Sequence, residues 1–137
     1  MIKLIEHVAI TAKDFDKTIE FYMKNLGFSL KSSSVNKEKG TRGAFLEAGQ
    51  AMIEVFGFIE DKAVKGPTLK DEETGLKHLC FIVDDMEKML LGLKDAGVEV
   101  NGNSNFANFK DPNGVIIQLR PYNLSALKLP KYIIHEF

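Results

Sequence analysis

Two histidines and two strand-borne polar residues fall at matched places along this chain. His7 lies inside the apolar run "IEHVAIT" and His78 inside "LKHLCFIV"; they are two of only three histidines. An offset of 78 − 7 = 71 positions superposes them, and the same offset carries Asp14 onto Asp85 and Lys17 onto Lys88. Laying "AMIEVF" (51–56) over "VIIQLR" (115–120) makes a second pair, Glu54 on Gln118. Each of these is a polar residue in a run otherwise apolar on both faces. A buried carboxylate is costly unless a cation or hydrogen bonds compensate it. If the two halves pair around a pseudo-twofold axis, His7, Glu54, His78 and Gln118 can converge on one point. Imidazole nitrogen with carboxylate and amide oxygen suits a first-row divalent metal.

The elements that must position these residues repeat as well. "IEHVAIT" alternates, with Ile5, His7, Ala9 and Thr11 on one face and Glu6, Val8 and Ile10 on the other. Asp14 is placed to cap a helix, its carboxylate accepting from free first-turn amides. Phe15, Ile19, Tyr22 and Leu26 then form one apolar helical stripe, ended by Gly27. The second half repeats this, with Asp85 as cap, Met86, Met89, Leu90 and Leu93 as stripe, and Gly97 as stop. Three short strand-like runs follow each helix, separated by turns such as Asn101-Gly102 and Asp111-Pro112-Asn113-Gly114. Each half therefore reads as βαβββ, and internal repetition at this scale defines the architecture. The expected fold class is α+β, with two βαβββ modules forming curved sheets around a metal or ligand cleft. One domain spans 1–121, with module one at 1–58, a polar linker at 59–75 and module two at 76–121. Residues 122–137 form a C-terminal extension, packed on the body or on a second subunit.

The whole chain, at 137 residues, has room for one domain. Its 18 basic and 19 acidic residues leave a formal net charge of −1, which argues against a sequence-blind nucleic-acid binder. A single cysteine excludes an intrachain disulfide or a cysteine-based zinc site and suits a reducing compartment. No run approaches the roughly 18 apolar residues of a membrane span. Glu6 and His7 interrupt any signal-like apolar stretch, so the chain reads as cytoplasmic. Cys80 reads as a small core residue, Arg42 and Arg120 as unspecific strand-end charges, and His135-Glu136 as frayed tail.

Paired βαβββ modules with His on the first strand and a polar ligand-type residue on the last resemble the vicinal oxygen chelate superfamily. Glyoxalase I, methylmalonyl-CoA epimerase, extradiol dioxygenases and fosfomycin- and bleomycin-resistance proteins belong to it. The resemblance covers roughly residues 2 to 121 and is carried by "IEHVAI…DFDKTIEFYMKNLGF", "KHLCFIVDD" and "FKDPNGVIIQLRP". It implies one divalent ion (nickel, cobalt, zinc or manganese) held by His7, Glu54, His78 and Gln118. It also implies a small carbonyl substrate chelated through vicinal oxygens, and a homodimer. Glyoxalase I-like members usually end the ligand set with Glu, which also takes the proton next to the carbonyl. Gln118 can lend oxygen to a metal but cannot serve as a base near pH 7. Glu54 is then the catalytic candidate, both ligand and proton shuttle. Epimerase-like members resemble a mirror of this arrangement, with Gln in the first module and Glu in the second.

Two departures count against glutathione as substrate. The positions at which glyoxalase I-like proteins hold its carboxylates are Thr11 and Phe58 here. Extradiol dioxygenase chemistry fits less well still, because its iron sites favour an anionic ligand where Gln118 stands. The resemblance leaves a metal-dependent lyase, isomerase or epimerase as the leading expectation. The alternative is a metal-free small-molecule binding protein of the bleomycin-resistance type.

Overall fold

The computed structural model describes residues 1–2, 4–60, 62, 64–66 and 74–122. The extension beyond Tyr122, with His135-Glu136, and most of the second half of the linker lie outside the described residues. The first module runs β1 (Val8–Thr11), α1 (Phe15–Leu26), β2 (Ser29–Asn36), β3 (Thr41–Ala48) and β4 (Ala51–Phe58). The second runs β5 (His78–Val83), α2 (Met86–Asp95), β6 (Asn101–Asn103), β7 (Phe106–Lys110) and β8 (Ile116–Pro121). The α+β class and the doubled βαβββ order are as the sequence implies.

The local signals act as their chemistry requires. Asp14 Oδ1 accepts from the Lys17 amide at 3.0 Å, and Asp85 Oδ1 from the Lys88 amide at 2.9 Å, each satisfying an orphan first-turn donor. Gly27 ends α1 at φ 71°, in the left-handed region that costs glycine no Cβ clash. On α1 the buried residues are Phe15, Thr18, Tyr22 and Leu26, so Thr18 takes a place in the stripe beside the half-buried Ile19. Thr18 tolerates burial because its hydroxyl donates to the Asp14 carbonyl at 2.7 Å.

Each module builds one four-stranded sheet, ordered β1-β4-β3-β2 and β5-β8-β7-β6. The first strand pairs parallel with the last in both; the remaining neighbours are antiparallel. The ladders obey the sequence offset. Val8 faces Ile53 and Leu79 faces Ile117; one residue on, Ala9 faces Glu54 and Cys80 faces Gln118. Since 8 + 71 = 79 and 9 + 71 = 80, the repeat is one of hydrogen-bond register as well as composition.

Alternation sends Ile10, Ile53, Val55, Leu46, Ile117 and Leu119 into the core with the two helices. The opposite faces are open. β2, "SLKSSSVN", is exposed along its whole length, and its serines and Lys31 suit an edge that must not recruit other strands.

The modules are joined through a buried polar turn at 111–114. Tyr22 on α1 donates to Asp111 Oδ2 at 3.1 Å, and the Lys13 amide donates to Asn113 Oδ1 at 2.9 Å. Asn113 Nδ2 donates to Thr18 Oγ1 at 3.2 Å and to Asp111 Oδ2 at 3.0 Å. The Asn113 and Val115 amides complete the shell of Asp111 Oδ1 at 2.8 and 2.9 Å. Among the described residues no buried side-chain nitrogen or oxygen lacks a partner.

Candidate functional site

His7 stands one residue before β1, and Glu54 lies mid-way along β4 on that sheet's open face. Their side chains meet, with His7 Nε2 3.5 Å from Glu54 Oε2, both about a third exposed. The other ring nitrogen, Nδ1, is 2.8 Å from Glu6 Oε2. A carboxylate on one imidazole nitrogen fixes the ring and leaves the other nitrogen to face a ligand, the usual support of a metal-binding histidine. Phe45, which pairs with Glu54 across the β3–β4 ladder, sets its ring edge-on to His7 with centroids 5.3 Å apart. The imidazole is thus held from two sides and aimed at the carboxylate.

The equivalent half-set lies on the other sheet. His78 opens β5 and is exposed; Gln118 on β8 is half-buried, opposite Cys80. His78 does not join the first pair: among the described residues no three His, Cys, Asp or Glu side chains stand where one ion could be held. The chain brings together two of the four sequence candidates, His7 and Glu54, and keeps His78 and Gln118 on the second module. The two halves do share an opening. Ala9, the ladder partner of Glu54, and His78 both line a cavity of about 360 Å³ between β1, the start of β5 and the 111–114 turn.

The pair at hand fits half of a divalent-ion site. Imidazole nitrogen and carboxylate oxygen are hard-to-borderline donors, and their separation leaves them without a tight bond to each other. Gln118 would add a neutral oxygen and His78 a second nitrogen.

Two sequence expectations are corrected. Cys80 is exposed and not a core residue, because alternation along β5 sends it to the open face with His78 and Gln118 while Leu79 and Phe81 turn toward the helices. Partial burial pushes its thiol pKa up, with Arg120 pulling the other way. Arg42 is not an unspecific charge either. Its guanidinium donates twice to Asp16, Nη1 to Oδ2 at 3.2 Å and Nη2 to Oδ1 at 2.5 Å, and lies 4.0 Å from the Phe15 ring centroid. It closes the start of α1 onto β3, a role invisible in "TRGAF" because its partners are 26 positions away. Thr11 and Phe58 provide no guanidinium or amide; Phe58 packs on Phe56 with centroids 5.5 Å apart.

Residues 4–119 match the model of the Glyoxalase/Bleomycin resistance protein/Dioxygenase superfamily, and the chain belongs to that superfamily. Within it, the chain is 31% identical over 124 residues to a probable lactoylglutathione lyase of Vibrio parahaemolyticus, covering 84% of this chain and 88% of that one. It is 25% identical over 126 residues to human mitochondrial methylmalonyl-CoA epimerase, covering 84% and 72%. The crystal structure of a glyoxalase family protein from Enterococcus faecalis superposes with a TM-score of 0.72 at 30% identity, covering 86% and 97%. Among the described residues no helix is long and apolar enough to cross a membrane.

Proposed function

We propose that this protein is a metal-dependent lyase or epimerase that moves a proton next to a carbonyl of a small substrate, with His7, Glu54, His78 and Gln118 as metal ligands. The observation that carries the reading is the His7–Glu54 pair, 3.5 Å apart and braced by Glu6, on the open face of a sheet whose repeat presents His78 and Gln118. A bound divalent ion would polarise the substrate carbonyl and acidify the neighbouring carbon. Glu54 is the one carboxylate of the set and serves as proton shuttle. Gln118 contributes oxygen without charge. Similarity to proteins named as a lyase and as an epimerase supports proton-transfer chemistry and does not choose between them.

The second half-set comes from a second copy of the chain, in a homodimer. The open face of the β5-β8-β7-β6 sheet exposes Ile82, Phe106 and Ile116 beside His78 and Gln118. A partner laid there would cover apolar surface and deliver its own His7 and Glu54.

Elemental analysis of tag-free protein, before and after nickel or zinc loading, tests the reading. The expected result is about one ion per chain, lost in the His7→Ala/His78→Ala variant while the fold persists. Equal metal content in wild type and variant would overturn it. Among the described residues no three His, Cys, Asp or Glu side chains are grouped to hold one ion, which favours the other reading, a metal-free small-molecule binding cleft. That same null result would select it.

A further inference from the structure

We propose that the cavity between β1 and the 111–114 turn is a binding site for a small phosphorylated molecule. Its volume, about 360 Å³, is that of a small-ligand pocket. Lys13, Lys65, Lys77 and Lys110 line it, and among the described residues no aspartate or glutamate does. The chain as a whole has 18 basic against 19 acidic residues, so four cations without an acid among the described lining residues is a local departure from balance. Gathering like charges around one cavity raises its potential and costs free energy, which a bound anion recovers.

Lys13, Lys65 and Lys110 form no ion pair among the described residues. Asp111, next in sequence to Lys110, is buried and its carboxylate accepts from Tyr22, Asn113 twice and Val115. The cations are also positioned. The Lys13 amide is tied to Asn113 Oδ1, and its ammonium runs along Gly66, where an added Cβ would stand 3.1 Å from Nζ. Lys13 and Lys65 therefore reach the same rim.

The donor chemistry favours phosphate over carboxylate. All four cations are lysines, compact charges with rotatable donors that suit a tetrahedral oxyanion, and no arginine offers the planar fork that matches a carboxylate. Apolar wall at Leu79 and Val115 can take a short carbon skeleton. His78 lines the cavity too, so the site adjoins the second half-set of the proposed function; His7 and the proposed shuttle Glu54 do not line it, and the lysines take no part in the metal reading.

Calorimetric titration of the full chain with pyrophosphate, at low and at 0.3 M salt, tests it. The expected result is one site per chain, weaker at high salt. Affinity should fall at least tenfold in Lys13→Met/Lys110→Met, whose thermal unfolding stays at the wild-type temperature, and be unchanged in Glu54→Gln. No saturable binding at millimolar pyrophosphate would overturn the proposal, as would equal affinity in the double variant or an equal loss in Glu54→Gln. Succinate binding as tightly as pyrophosphate would overturn the assignment to phosphate.

Discussion

Tyr22 and Asp111, 89 positions apart, share a buried hydrogen bond of 3.1 Å that ties the helix of one module to the turn of the other. Burial, reinforced by the adjacent Asp111 carboxylate, raises the Tyr22 pKa far above its ordinary 10.0. The folded state therefore keeps the phenol protonated at pH values where an unfolded chain would release the proton. That stability is fully present below pH 10.0 and is lost as pH rises beyond it.

Tyr22→Phe should cost about 1–3 kcal/mol at neutral pH, the usual loss for a hydrogen bond to a buried charged group. Denaturant unfolding from pH 7 to 11 checks it. The gap between wild type and variant should be constant up to about pH 10 and narrow above it, because only the wild type has this phenol to lose. A gap that widened with pH would contradict the burial of a protonated Tyr22.

Gly57, buried on β4, lies beneath Phe15, and a Cβ there would approach Phe15 Cδ2 to 2.7 Å. Phe15 has little freedom to move, as Arg42 stacks on its ring while paired to Asp16. Gly57→Ala should destabilise by about 1–3 kcal/mol through overpacking, measured by thermal or denaturant unfolding. Phe15→Leu in the same background should restore part of the loss.

Subunit mixing tests whether the donors come from two chains. His7→Ala and His78→Ala homodimers should each lose metal binding. In a heterodimer of the two variants, one site loses both histidines and the other keeps both. About half an ion per chain of heterodimer, read by elemental analysis after mixing and reassembly, is the expected recovery. Zero recovery places all four donors within one chain.

Under the proposed function Glu54 moves the proton and Gln118 lends only oxygen, and exchanging their types should show it. Glu54→Gln should retain some metal while abolishing solvent-proton exchange into an accepted substrate, a loss of about 10²–10⁴-fold for a general base. Gln118→Glu restores a carboxylate on β8 and should raise turnover of a glyoxalase-type hemithioacetal by at least about tenfold, followed spectrophotometrically. Unchanged turnover in a variant that still holds metal would separate this chain from that reaction.

Much of this architecture was legible because it is local. Caps at Asp14 and Asp85, the stop at Gly27 and the 71-residue offset are periodic or short-range signals, and the ladders reproduce them. Boundaries shifted where tertiary pairing decides: β1 begins at Val8, so His7 precedes the strand. Arg42 and its carboxylate and Thr18 beside Asn113 were not legible. Each depends on which distant element arrives opposite, at separations of 26 and 95 residues. For the site, spacing identified the four polar positions and the fold joined His7 to Glu54. Whether the two half-sets meet depends on how sheets face one another, which no single-chain pattern encodes.

The buried turn at Asp111 and Asn113 also sets an order of events during synthesis. The Tyr22 hydroxyl and the Lys13 amide receive their acceptors from residues made 89 and 100 positions later. At about 5–20 residues per second, an emerging first module waits roughly 4–20 seconds for them. Until then α1 must keep that face wet or borrow other acceptors, and module one alone is an unfinished object. Its completion is timed by translation of the C-terminal half.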